Sequence, residues 1–292
     1  MTIAAGFYCT DGLVLCSDTQ ETITGYAKVN TQKMTQIETP LYNTVFTGSG
    51  DSGLIDMTVQ LMDQALALKK PSAAWQIEDV LRESLVDTFN RYIAPWSQFS
   101  AEERPATPDL LIGLQFLSGA LLYRASGTTL RRVHESQCVG TGIVLGNSLI
   151  AQLFNPSMGI GQGWLVALYV LHQAKTWVDG CGGNTDILLL SSRDKLITRI
   201  PTTDVKDFEN HFDQFNSYVR PIFVAAADRN VPHDKFEELM KQFRLNMHTL
   251  RGKFMEYEEF LRRLCEIQGV PYPLPDVIPE LSIPDSSPVQ KP

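Results

Sequence analysis

The chain has 292 residues, 43 % of them hydrophobic, enough for one large globular domain with an appendage or for two domains. Its net charge of −8 disfavours nucleic acid and anionic membrane as partners, and no apolar run approaches the roughly 20 residues that span a bilayer. The first apolar run has no basic segment before it and is interrupted at Asp11 and after Cys16, so it does not read as a secretory signal. The five cysteines, Cys9, Cys16, Cys138, Cys181 and Cys265, include no Cys-x-x-Cys pair, and the five histidines show no metal-ligand spacing. Buried reduced thiols in a cytoplasmic protein are the expectation, with no metal and no cofactor.

Residue 2 is a threonine directly after Met1. Methionine before a small residue is commonly trimmed, so a mature chain beginning at Thr2 is expected. A terminal threonine joins a hydroxyl to a free α-amine, a nucleophile with its own base, and an α-amine titrates near ~7.7–8.0. Ile3 to Phe7 reads as a buried strand, Asp11-Gly12 as a hairpin turn and Leu13 to Cys16 as the returning strand. That hairpin delivers Asp18 beside the start of the first strand. Lys33 follows; held as a cation by Asp18, it would lower the pKa of a neighbouring amine or hydroxyl.

Met34 to Ile37 alternates, and Asn43 to Thr47 is β-rich and ends at Gly48-Ser49-Gly50-Asp51. The period then changes: Leu54, Met57, Leu61, Ala65 and Leu68 predict a helix with Asp51 as a possible N-cap. Beyond Pro71-Ser72, a second helix carries Ile77, Leu81, Leu85, Phe89 and Ile93 on one face. After a loop over 97–108, strands are expected at 110–114, 120–123 and 129–133, then a glycine-flanked turn, Cys138-Val139-Gly140-Thr141-Gly142. A short helix over 144–154 and a stronger one over about 161–178 lead to Asp179-Gly180-Cys181-Gly182-Gly183, and two strands close the run at 187–190 and 196–200. Strands alternating with pairs of helices suggest two packed sheets, each with helices outside.

With these residues in place, the chain resembles the proteasome β-subunit family of N-terminal nucleophile (Ntn) hydrolases, of the bacterial type. Thr2 matches the terminal nucleophile, Asp18 the strand-end carboxylate, Lys33 the lysine and Thr47-Gly48-Ser49-Gly50-Asp51 the glycine turn that opens the first helix. Gly140-Thr141-Gly142 and Asp179-Gly180-Cys181-Gly182-Gly183 are similar to the family's two later glycine segments. The resemblance implies an α+β fold, a four-layer αββα sandwich, over residues 2–230. It also implies a threonine endopeptidase with polypeptide substrate: the Thr2 hydroxyl attacks, the Thr2 amine takes the proton, Lys33 paired with Asp18 supplies positive charge, and the Gly48 N–H serves the oxyanion. Thr141, Asp179 and Cys181 would hold the terminus and its water. The family further implies a self-compartmentalised homo-oligomeric ring or related assembly; whether an ATPase unfoldase serves it is left open. The chain departs from the pattern in having one residue fewer between Asp18 and Lys33, with Lys28 as competing candidate, and in Cys181 replacing a serine. Taken singly, Asp18, Lys33, Gly48 and Gly142 read as turn or surface residues; as an ordered set they read as catalytic. An amidohydrolase acting on a small amide and a non-catalytic structural ring subunit are the alternatives.

After Ile200, apolar residues from Val205 to Ala226 repeat with helical spacing through Pro221, where a kink is expected. Asp228 to Pro232 reads as a connector and Asp234-x-x-Glu237 as a capping box, followed by a Phe- and Met-rich seam from Phe236 to Leu264. Residues 231–269 are therefore read as a C-terminal helical extension, either a hairpin or a layer on the core, and 270–292 as a proline-rich tail.

Overall fold

The computed structural model describes residues 2–22, 28–100, 105–116, 119–192 and 196–268. The proline-rich tail expected at 270–292 lies outside the described residues, as does the last residue of the expected extension.

The fold is mixed α/β. The first sheet has the order β10-β1-β2-β11-β12, with β1 Ile3–Cys9, β2 Gly12–Asp18, β10 Ser136–Gly140, β11 Thr185–Ser191 and β12 Ile197–Arg199. The second has the order β5-β6-β7-β8-β9, with β5 Thr35–Glu38, β6 Tyr42–Ser49, β7 Asp109–Phe116, β8 Gly119–Ser126 and β9 Thr129–Val133. All their pairings are antiparallel. A small ribbon, β3 Gln20–Thr22 with β4 Lys28–Asn30, joins the two.

Three buried clusters follow from the alternation of side chains along these strands. Ala4, Leu13, Leu15 and Leu188 from the first sheet meet Val45, Leu111 and Leu122 from the second. The other face of the second sheet, with Phe46 and Ile112, is covered by α1 Ser52–Lys69 and α2 Ala74–Thr88 through Met62, Leu66, Ile77 and Leu81. The other face of the first sheet, with Ile3, Phe7 and Val14, is covered mainly by α4 Ile160–Trp177, beside α3 Ile143–Leu153. Both β1 and β2 are apolar on alternate and intervening positions alike because each of their faces is buried.

Several local expectations shift. The loop between β1 and β2 is Thr10-Asp11, with Cys9 opposite Gly12, one residue earlier than the Asp-Gly turn. Asp51 does cap α1, accepting from the Leu54 N–H at 3.0 Å. The second predicted helix ends at Thr88 and continues as a wide π turn over Phe89–Ile93 and a 3-10 turn over Ala94–Gln98. Cys138 to Gly140 belongs to a strand, and only Thr141-Gly142 turns.

The C-terminal helices are α5 Thr202–Ala227 and α6 His233–Gln268. α5 runs on through Pro221. The predicted capping box is not the helix start: Lys235 and Phe236 N–H groups already bond the Pro232 carbonyl, which places Asp234 inside the first turn. The two helices pair antiparallel, with Phe215 against Phe243 and Phe208 against Tyr257. Both also pack on α4: the indole of Trp164 lies 5.0 Å from Phe208, 5.1 Å from Tyr257 and 5.9 Å from Phe254 between ring centres. Hairpin and layer on the core are thus the same object.

Candidate active site

Thr2 opens the strand β1, which lies second in its sheet, flanked by β10 and β2. It is buried, 4 % exposed, and its backbone carbonyl accepts from the Thr141 N–H at 2.8 Å. Gly140 makes this approach possible. Its φ of +95° is open to glycine, and a Cβ there would stand 2.3 Å from the Thr2 carbonyl oxygen.

Asp18 ends β2 directly opposite Thr185 of β11, and the hairpin register brings it beside Ile3. It is fully buried. A carboxylate taken out of water requires donors, and here four converge. Oδ1 accepts from the Thr2 hydroxyl, from the Ile3 N–H at 3.2 Å and from the Lys33 ammonium at 2.8 Å. Oδ2 accepts from the Gly182 N–H at 2.9 Å.

Lys33 lies between β4 and β5, next to Met34, which is 1 % exposed and packs between the two sheets. The buried methionine anchors the segment, while the bond from the Thr31 N–H to the Thr19 carbonyl fixes its other side. The Lys33 ammonium donates to the Thr2 hydroxyl, to Asp18 Oδ1 and to the Gln20 carbonyl. Lys28, the competing lysine, is exposed on β4. Between Asp18 and Lys33 the chain forms the paired strands β3 and β4, with Gln20 opposite Asn30.

Gly48 is the penultimate residue of β6, in register with Leu110 of β7. A Cβ there would meet the Asp109 carbonyl at 2.5 Å. Gly48 lines a cleft of about 170 Å³ together with Thr2, Lys33, Phe46, Ile55 and Glu21.

The three remaining predicted residues are arranged differently. Thr141 contributes its backbone N–H, while the residue itself is exposed. Asp179 is exposed in the turn after α4 and makes no hydrogen bond to Thr2, Asp18 or Lys33. Cys181 is buried, and burial together with the Asp18 charge pushes its thiol up to about 11, against the pull of Lys33. It is a neutral thiol at physiological pH.

Sequence reasoning missed the backbone partners. Gly182 supplies the N–H on Asp18 Oδ2, and Gln20 supplies the carbonyl on Lys33. The Gly182-Gly183 pair was the available signal: Gly183 has φ +73°, and a Cβ at Gly182 would stand 2.5 Å from Gln20 Oε1. Behind this turn Lys175 of α4 pairs with Glu209 of α5 at 2.6 Å and also reaches the Gly183 carbonyl at 3.3 Å. Thr185 donates to the same Glu209 at 2.7 Å. The turn that carries Gly182 is therefore tied to two helices.

No family model matches the chain, and no curated relative matches it. Solved structures do. Anbu (ancestral beta-subunit) from Yersinia bercovieri aligns at a TM-score of 0.63 and 13 % identity over 79 % of this chain and 99 % of that one. An Anbu (Gly-1) mutant from Hyphomicrobium sp. strain MC1 gives 0.62 and 14 % over 77 % and 97 %. The helical assembly of the Anbu complex from Pseudomonas aeruginosa gives 0.62 and 14 % over 76 % and 95 %. These likenesses correct the resemblance drawn from the sequence to the bacterial-type proteasome β-subunit: these three solved structures are Anbu proteins, a distinct proteasome-like group. At this identity the likeness shows the fold, which is Ntn-like.

Proposed function

We propose that the chain is a threonine-type peptidase of the Ntn fold, with Thr2 as nucleophile once the residue ahead of it is removed. The observation that supports this most directly is the convergence of Asp18 Oδ1 and Lys33 Nζ on the Thr2 hydroxyl.

In this reading the Thr2 oxygen forms a bond to the carbonyl carbon of a peptide. Its proton passes to the freed Thr2 amine and from there to the departing amine of the cleaved bond, leaving an ester on Thr2. Water then hydrolyses the ester and restores the hydroxyl. The Lys33 cation stabilises the hydroxyl oxygen as it loses its proton, and Asp18 balances that charge and holds it in place. Gly48 is assigned to the oxyanion by its position on the cleft wall beside Thr2. The assigned set is thus Thr2, Asp18, Lys33 and Gly48, with the Thr141 N–H and the Gly182 N–H as positioning groups. Asp179 and Cys181 keep only a structural part in it.

The helices outside the two sheets fit the four-layer αββα order, with residues 2–230 as the hydrolase domain and α6 as an extension docked on it. Assembly into a homo-oligomer is part of the proposal, since the similar Anbu complex from Pseudomonas aeruginosa is a helical assembly.

The test is to measure the mass of the mature terminus and to treat the protein with a peptide epoxyketone or boronate. Labelling at Thr2 and turnover of a peptide amide are expected, and both should vanish in Thr2→Ala. Undiminished hydrolysis by that variant would overturn the assignment.

A further inference from the structure

The cleft beside Thr2 has a floor and a wall of different chemistry. Phe46 of β6 and Ile55 and Val59 of α1 supply apolar surface, while Glu21 of β3 and Asp56 of α1 line it with carboxylates. At about 170 Å³ it is smaller than the roughly 300–1,000 Å³ of a site for a drug-sized ligand, and suits one side chain. The side chain nearest to it is that of the residue whose carbonyl Thr2 attacks, because that residue's α-carbon is bonded to the reacting carbon.

We propose that this cleft selects a lysine or arginine side chain at the residue whose carbonyl is attacked, its methylene stem on Phe46, Ile55 and Val59 and its cationic head between Glu21 and Asp56. The inference rests on the reading of Thr2 as nucleophile, and names the substrate class for that same site.

Three observations carry it. First, Glu21 is pre-oriented. Its Oε1 accepts from the Ser52 hydroxyl at 2.8 Å and its Oε2 from the Thr31 hydroxyl at 2.9 Å. Both partners are neutral, so they fix the carboxylate without cancelling its charge. They also hold its carboxyl below the ordinary range, Ser52 most, with a smaller contribution from the Lys33 charge. Second, Asp56 is exposed on α1 and, among the described residues, its carboxylate has no hydrogen bond or ion pair. Third, Lys33 is the one cation that lines the cleft among the described residues, and its charge faces the buried Asp18. Among the described residues neither carboxylate is ion-paired, and both border the apolar surface that Phe46, Ile55 and Val59 supply. Long basic side chains lay their stems on such apolar surface and keep the charged head at its polar edge.

The test separates binding from chemistry. Acetylated peptide amides ending in Arg, Leu or Glu are titrated calorimetrically into full-length Thr2→Ala protein, whose cleft is intact and whose nucleophile is gone. The Arg peptide is expected to bind about tenfold tighter than the Leu peptide, with the Glu peptide weakest. The Arg-over-Leu ratio should fall toward one in Glu21→Gln and in Asp56→Asn, and should shrink with added salt. Equal binding of Arg and Leu peptides, or a ratio untouched by both surface variants, overturns the inference. Turnover of the matching fluorogenic peptides by the Thr2 protein is read separately: a basic preference in binding without any turnover condemns the nucleophile assignment and leaves the cleft chemistry standing.

Discussion

The Lys33 ammonium lies 2.8 Å from Asp18 Oδ1, the same carboxylate oxygen that accepts the Thr2 hydroxyl. One oxygen thus fixes both the proposed nucleophile and the cation beside it, and the pair is only 14 % and 0 % exposed at its side chains. Removing either partner leaves a buried charge without its counterpart, which typically costs about 3–5 kcal/mol.

Lys33→Ala should therefore reduce turnover by several orders of magnitude, while Lys28→Ala, on the exposed ribbon strand, should leave kcat within about twofold. Measuring kcat/KM for the two variants side by side decides between the lysines. Asp18→Asn should resemble Lys33→Ala, because it removes the charge that Lys33 faces.

Gly140→Ala tests how closely the neighbouring strand must approach Thr2. A left-handed backbone costs an alanine about 1–2 kcal/mol, and here the added carbon also meets the Thr2 carbonyl. The variant should melt at lower temperature and, where folded, label more slowly at Thr2 with an epoxyketone. Normal stability with normal labelling would show that the terminus tolerates displacement.

The cysteines make a pH prediction. Burial pushes Cys138 up to about 12 and, with the Asp18 charge, Cys181 up to about 11, and it raises Cys9 and Cys16 as well. A thiol with a raised value is neutral below it and ionises only as pH climbs towards it. Iodoacetamide at pH 8 should leave peptides containing these four unmodified in the folded protein and modify them after denaturation. Cys181→Ser should retain turnover, since no ionised sulfur is needed there.

Trp164→Ala should lower stability by about 3–5 kcal/mol, the range for emptying a buried aromatic site. The loss falls where α4, α5 and α6 meet. For the same reason a chain truncated after Asp228 uncovers Trp164, so its sedimentation should be compared with that of Trp164→Ala. A change of oligomeric size in the truncated chain alone would assign α6 an intermolecular role in addition to its packing.

The first fifty residues were the legible part of the sequence. A buried hairpin with a carboxylate at its end, followed by a lysine and a glycine turn, makes a local pattern, and the hairpin register converts sequence distance into proximity. Asp179 and Cys181 were less legible because their placement depends on a turn held by partners distant in sequence, Asp18, Thr19 and Glu209 among them. The Gly182 and Gln20 contacts are made by backbone atoms, which residue identity does not advertise. The C-terminal helices were visible from their spacing, but what covered their seam was not, since the covering residue, Trp164, lies in a helix whose apolar residues run nearly all round it. The resemblance to the bacterial-type proteasome β-subunit was misread because the motifs that carry it are few and short.

Trp164 also sets up an optical experiment that the fold provides without labelling. Of the four tryptophans it alone is fully buried, while Trp75, Trp96 and Trp177 are 64 %, 39 % and 73 % exposed. Its emission should be blue-shifted and shielded from iodide, and that of the other three red-shifted and quenched. Because both C-terminal helices close over its ring, the shielded fraction measures directly whether they are seated, in dilute solution and in any assembled form alike.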